Sequence, residues 1–161
     1  MLDVMQQLEP RKDAPDWVFY NELDEILAIF FIENGTFDVG FEINSEQHFV
    51  LRYQNSSYSP KSHHLKEMQK AASFGEPIGQ YGCVYNKPSR FIYKSFTSVS
   101  GYFIRKKNWN DLIGRNAFVG RQMNKQIGLR HMRVVQIMNK YKRVEILKKK
   151  ALMHVDEYKF V

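Results

Sequence analysis

Residues 26–43, Ile26-Leu27-Ala28-Ile29-Phe30-Phe31-Ile32-Glu33-Asn34-Gly35-Thr36-Phe37-Asp38-Val39-Gly40-Phe41-Glu42-Ile43, decide the fold class. Their second half alternates: Phe37, Val39, Phe41 and Ile43 fall on one side, polar or small residues on the other, the period of a half-buried strand. The first half, Ile26–Ile32, is an apolar run of strand length. Between them Glu33-Asn34-Gly35 predicts a hairpin turn, because Asn-Gly readily supplies positive φ. Asn44-Ser45-Glu46 predicts a second turn, leading into a strand at His48-Phe49-Val50-Leu51-Arg52-Tyr53. Upstream, Trp17-Val18-Phe19-Tyr20 is a short aromatic and β-branched run entered from the Asp13-Ala14-Pro15-Asp16 turn. Downstream, strands are expected at 90–96 and 99–105. Antiparallel β structure follows.

The chain then changes period. Asn108 is the expected N-cap for a helix starting near Trp109, with Asp111 in its first turn. From 116 to 153, Val119, Met123, Ile127, Arg130, Val134, Ile137 or Met138, Tyr141, Ile146 and Leu152 form a mostly i+3/i+4 stripe. Gly120 and Gly128 weaken it, predicting two or three helical pieces. The expected class is mainly β with helices (α+β): a β-roll over 1–113, with a polar insertion at 54–73 carrying a short helix around Leu65–Ala72, then basic helices and a tail over 114–161.

Composition narrows the function. At 161 residues, 43% apolar and 14% aromatic, the chain can bury a real core. The longest apolar run, 26–32, is far too short to cross a bilayer, and no signal peptide is expected. The lone Cys83 forms no internal disulfide and fits a reducing compartment. His63-His64 lacks the Cys or carboxylate partners of a metal site, so no metal is expected. Asp24-Glu25 sits in a turn, and no P-loop or nucleophile elbow occurs, so no enzyme activity is expected. Charge is uneven: residues 1–60 carry 11 Asp/Glu against 3 Lys/Arg, a net of −8, while residues 115–150 carry 11 Lys/Arg against Glu145 alone, a net of +10. The basic stretch could meet nucleic acid or anionic lipid. Its interleaved apolar residues make a solvated face of amphipathic helices the simpler account, and no room remains for a winged DNA-binding module.

Three stretches together give a resemblance. Phe31-Ile32-Glu33-Asn34-Gly35 resembles the strand–turn of cyclic-nucleotide-binding domains. Ile78-Gly79-Gln80 followed by Tyr85-Asn86-Lys87-Pro88-Ser89-Arg90 resembles their phosphate-binding cassette, and Tyr102–Trp109 their last strand and following helix. More narrowly, Leu8-Glu9-Pro10-Arg11, Asn21–Glu25, Gly40–Asn44 and Tyr85–Pro88 resemble the C-terminal domains of ciliate voltage-gated cation channels. The resemblance implies a β-roll of the cyclic-nucleotide-binding type, jelly-roll in topology. It also implies a ligand site, if any, at Gly79, Gln80, Tyr81, Gly82, Cys83, Ser89 and Arg90.

In that family the cassette Glu holds the ribose, and an Arg nine residues on neutralises the cyclic phosphate. Here Gln80 and Ser89 take those slots, so the charge pair is absent. The literal Phe74-Gly75-Glu76 lies 14 residues before Arg90, too far for the spacing. Arg90 itself, if on a strand beside Ser89, would point away from the pocket. Loss of a buried charged hydrogen bond costs about 2–5 kcal/mol, so cAMP or cGMP is not the expected cofactor.

The implied function is a regulatory or assembly domain of an ion-channel-like protein for cation or potassium transport, on the cytoplasmic side of a membrane. Its partners would be other channel subunits or domains, including further copies of itself. Two alternatives stand: a working cyclic-nucleotide sensor with a rearranged cassette, and a non-catalytic scaffold. Tyr158 and Phe160 are candidates for a self-ligand filling the pocket.

Overall fold

The computed structural model describes residues 5–55 and 77–157. Strands β1 (Glu9–Asp13), β2 (Val18–Tyr20), β3 (Ala28–Ile43) and β4 (Glu46–Asn55) precede a short helix, α1 (Gln80–Tyr85). Then come β5 (Ile92–Ser95), β6 (Val99–Arg105), α2 (Lys106–Gly114) and α3 (Ala117–Glu157). The expected polar insertion, with its helix around Leu65–Ala72, His63-His64 and Phe74-Gly75-Glu76, lies outside the described residues, although β4 runs on through Asn55. Tyr158 and Phe160 lie outside them too.

Among the described residues all strand pairings are antiparallel, and β3 is the axis of the roll. Its first half pairs with β6, from Ala28↔Arg105 to Asn34↔Ser100, and β6 pairs in turn with β1. Its second half pairs with β4, from Gly35↔Asn55 to Ile43↔Glu46, and with β5, from Phe37↔Ser95 to Gly40↔Ile92. The expected hairpin at Glu33-Asn34-Gly35 is therefore corrected. It is a bend inside one 16-residue strand, marked by a register shift between Ile32 and Asn34. The two flanking halves do not pair with each other, because each has a longer ladder elsewhere. Gly35, at φ 99°, makes the bend, and a Cβ there would run into the Ser98 carbonyl oxygen. The local Asn-Gly signal was right about the positive φ and wrong about its use.

The second turn behaves as expected. Asn44 and Ser45 both take positive φ (52° and 64°), the conformation of a two-residue type I′ hairpin. The apolar side before it is as expected, with Phe37, Val39 and Phe41 buried and Phe37 stacked on Tyr53 at 5.1 Å between ring centroids. Thr36, Asp38 and Gly40 are buried too, so this stretch is covered on both faces rather than half-buried. On the other side of the ladder Arg52 donates two hydrogen bonds to Asp38, at 2.7 and 2.8 Å, and its guanidinium lies 3.4 Å from the centroid of Phe96. β1 is an element the periodicity did not reveal. Among the described residues it is an edge strand paired with β6 alone, a position where Pro10 is tolerated.

Two helix expectations change. α2 starts at Lys106, not near Trp109, because β6 feeds straight into it: Arg105 still pairs with Ala28, and the Lys106 N–H donates to the Leu27 carbonyl at 2.8 Å. The 116–153 region is one 41-residue helix rather than several pieces, about 60 Å long at 1.5 Å per residue. Gly120 and Gly128 do not break it. They are points of close approach, Gly120 against Ile113 and Gly128 against the Tyr85 hydroxyl. Ile127, Val135 and Met138 of α3 join Ile29, Ile78 and Ile104 of the roll in one core.

A pocket closed by the C-terminal helix

The segment before α1 is pinned to the roll by a two-way bridge. The Phe30 N–H donates to Ile78 at 3.0 Å, and the Ile78 N–H donates back at 2.9 Å. Gly79 then turns at φ 86°, where a Cβ would sit 2.7 Å from the Ala28 carbonyl oxygen and 3.1 Å from the Tyr20 ring. Tyr20 fixes that wall, since its buried hydroxyl donates to the Ala28 carbonyl (2.7 Å) and accepts from the Ala28 N–H (3.1 Å). Burial pushes the phenol up to about 12, which keeps it a donor. α1 ends at Asn86, also at positive φ (51°), whose side chain accepts from Lys106 at 2.7 Å.

Of the expected site residues, Gly79, Gln80, Tyr81, Gly82, Ser89 and Arg90 converge on one cavity, together with Ile26, Phe37, Val39 and Tyr53 of the roll. Cys83 does not join them: it is buried in the core, and burial pushes its thiol up to about 11. Ser89 is buried and committed. Its N–H donates to the Asp24 carbonyl (2.9 Å), and its hydroxyl donates to the Phe91 carbonyl (2.7 Å). Arg90 corrects an expectation. β5 begins only at Ile92, so strand alternation does not govern residues 89–90, and Arg90 lines the cavity while remaining exposed.

The lid is α3, which contributes Ile127, Arg130, His131 and Val134 to the cavity wall. His131 stacks on Tyr81 with centroids 3.6 Å apart and planes 7° from parallel, and the Phe91 ring lies tilted beside it, 5.9 Å between centroids. Burial, with the Arg90 charge nearby, holds this imidazole down to about 4. It is therefore neutral at physiological pH, and its buried Nε2 has no hydrogen-bond partner among the described residues. A second latch lies one turn away: the Tyr85 hydroxyl donates to the Asn124 carbonyl at 2.9 Å, and Tyr85 lies 4.7 Å from Tyr81. With α3 so placed the cavity measures about 60 Å³. That is room for a few waters at roughly 10–15 Å³ each, against roughly 300–1,000 Å³ for a small-molecule pocket.

Sequence reasoning missed His131 because it ran the α3 stripe through Arg130. The signal was the heptad-spaced pair Asn124 and His131, flanking Ile127 in the inward line that leads on to Met138. Among the described residues no group of three or more His, Cys, Asp or Glu side chains converges, and no helix is long and apolar enough to cross a membrane.

No family model and no curated protein matches the chain. Solved structures do. The regulatory domain of Toxoplasma gondii PKA with cAMP matches at a TM-score of 0.52 and 13% identity, over 68% of this chain and 36% of that one. The regulatory subunit of a cAMP-independent protein kinase A from Trypanosoma cruzi, bound to guanosine, matches at 0.53 and 15%, over 74% and 36%. An EAL enzyme, Bd1971, in its half-site-occupied form matches at 0.54 and 12%, over 76% and 97%. The chain thus spans about a third of the two kinase regulatory proteins. At these identities the likeness is one of architecture: the chain folds as a cyclic-nucleotide-binding β-roll followed by C-terminal helices.

Proposed function

We propose that the chain is a non-catalytic regulatory and assembly domain of an ion-channel-like protein, on the cytoplasmic side of the membrane, working without a bound cyclic nucleotide. Its partners are other channel subunits or domains, including further copies of itself. The observation that carries the nucleotide-independent part is the His131–Tyr81 stack over a cavity of about 60 Å³. The protein fills with its own lid the space a ligand would need. Ser89 supports the same reading, since a hydroxyl donating to Phe91 offers no positive charge to a phosphate. The channel setting rests on the sequence resemblance. In this state α3 stays docked on the roll instead of reporting a ligand.

A second reading, a cyclic-nucleotide sensor with a rearranged cassette, draws support from Arg90 and Arg130 at the cavity wall and from the cAMP held by the Toxoplasma relative. In that case ligand binding would displace α3. Titration calorimetry of the whole chain with cAMP and cGMP separates the two. The expected result is no saturable heat up to millimolar nucleotide; micromolar binding of either one overturns the first reading.

A further inference from the structure

α3 has two sides. One packs on the roll through Ile127, Val135 and Met138, continues past Lys142 over the Phe41 ring (5.5 Å), and ends at the 2.7 Å ion pair of Lys149 with Glu46. The opposite side carries Phe118, Leu129, Met132 and Leu147, exposed by 66, 51, 51 and 65%. At about 100° per residue these four fall within roughly 60° of arc. Around them on the same side stand Arg121, Lys125, Arg133, Lys140, Arg143 and Lys150, all exposed and without an ion-pair partner among the described residues. Glu145, the one acidic residue of 115–150, is turned away from this face and is held by Lys148 at 2.8 Å.

We propose that the outer face of α3 lies on an anionic membrane surface, its cations among the headgroups and its four large apolar tips in the interface. The pattern fits that occupant better than the others. A partner helix needs an unbroken apolar seam, but between Met132 and Leu147 the same line holds Gln136, Lys140 and Arg143. A second copy of the same face would set six cations against six. Nucleic acid would pair the cations and leave Leu129 and Leu147 with nothing to bury against. A bilayer surface accepts a diffuse mixture of both kinds of side chain, long cations lying flat with their charges outward. The inference is independent of whether the pocket binds a nucleotide.

The test is sedimentation of the whole chain with phosphatidylcholine vesicles containing about one-third phosphatidylserine, against phosphatidylcholine alone. Binding is expected to the mixed vesicles only, and to fall with salt. Each outer cation is worth about fivefold in partitioning, so Lys125→Gln, Lys140→Gln and Arg143→Gln together should weaken it about a hundredfold. The roll-side pair Lys142→Gln and Lys149→Gln should change it little. Leu129→Gln with Leu147→Gln should weaken it at least about tenfold. All are exposed or half-buried helix positions, and circular dichroism reports whether the fold survives. No partitioning onto the mixed vesicles at low salt overturns the proposal. So does equal loss from the roll-side pair, which would make total charge the cause. Retained binding in the leucine variant, with equal affinity for duplex DNA, would mean a simple polyanion surface and overturn it too.

Discussion

Lowering the pH should loosen the lid through His131. In the folded chain this imidazole is held down to about 4, chiefly by burial and then by Arg90, whereas in the unfolded chain it titrates near 6.5. Between those values the unfolded state binds the extra proton, so stability is fully present above about pH 6.5 and is lost as pH falls toward 4. Among the described residues the groups facing the ring are Tyr81, Phe91, Arg90 and, on its own helix, Arg130, none of them a carboxylate that could compensate the new charge. Going from pH 7.5 to 5.0, full linkage gives about 2 kcal/mol. The ring is only half-buried, and screening reduces this to about 1 kcal/mol. In a chain of this size that is a Tm difference of about 2–4 °C. The assay is thermal unfolding at both pH values for the wild type and for His131→Phe, which keeps a ring on Tyr81 but cannot titrate. Exposed carboxylates such as Glu9 and Glu46 act equally in both proteins and cancel in the comparison. The wild type should lose about 2–4 °C more than the variant. Equal losses would refute the reasoning and mean that His131 is not held neutral by the pocket.

Gly79→Ala forces a side chain into a positive-φ turn, 2.7 Å from a backbone oxygen; a loss of about 2–3 kcal/mol is expected in urea unfolding, with α1 displaced. Tyr20→Phe strips both hydrogen bonds from the Ala28 peptide and should cost about 1–2 kcal/mol, read in the same experiment. Asp38→Ala leaves the Arg52 guanidinium half-buried without its carboxylate and should cost about 1–2 kcal/mol. By contrast, the exposed Glu9–Arg105 pair should be removable with no measurable change in melting.

Part of the site was legible in residue order: the stretches at Ile78-Gly79-Gln80 and Tyr85–Arg90 were singled out by a resemblance, and the structure brings Gly79, Gln80, Ser89 and Arg90 to one cavity. The exposed side of α3 was legible only as a mixture of cations and apolar residues. Which of them the roll would cover required the roll itself. Arg90 shows the limit in miniature: alternation was applied one turn too early, because strand bounds depend on the partner strand, and β5 is set by its ladder with β3.

The apolar alternation of 36–43, the Asn44-Ser45 turn and the switch to helical period near Trp109 are properties of neighbouring residues, so the sequence by itself determined an antiparallel roll with helices behind it. It also determined that Glu33-Asn34-Gly35 holds a backbone break. Whether that break reverses the chain or merely bends it was decided by β4, β5 and β6, whose ladders offer the two halves of Ala28–Ile43 more hydrogen bonds than they could offer each other. The continuity of α3 and the seating of His131 on Tyr81 are likewise tertiary outcomes. Only the surface of the roll fixes which face of a helix is inside, and only packing there makes up for the two glycines.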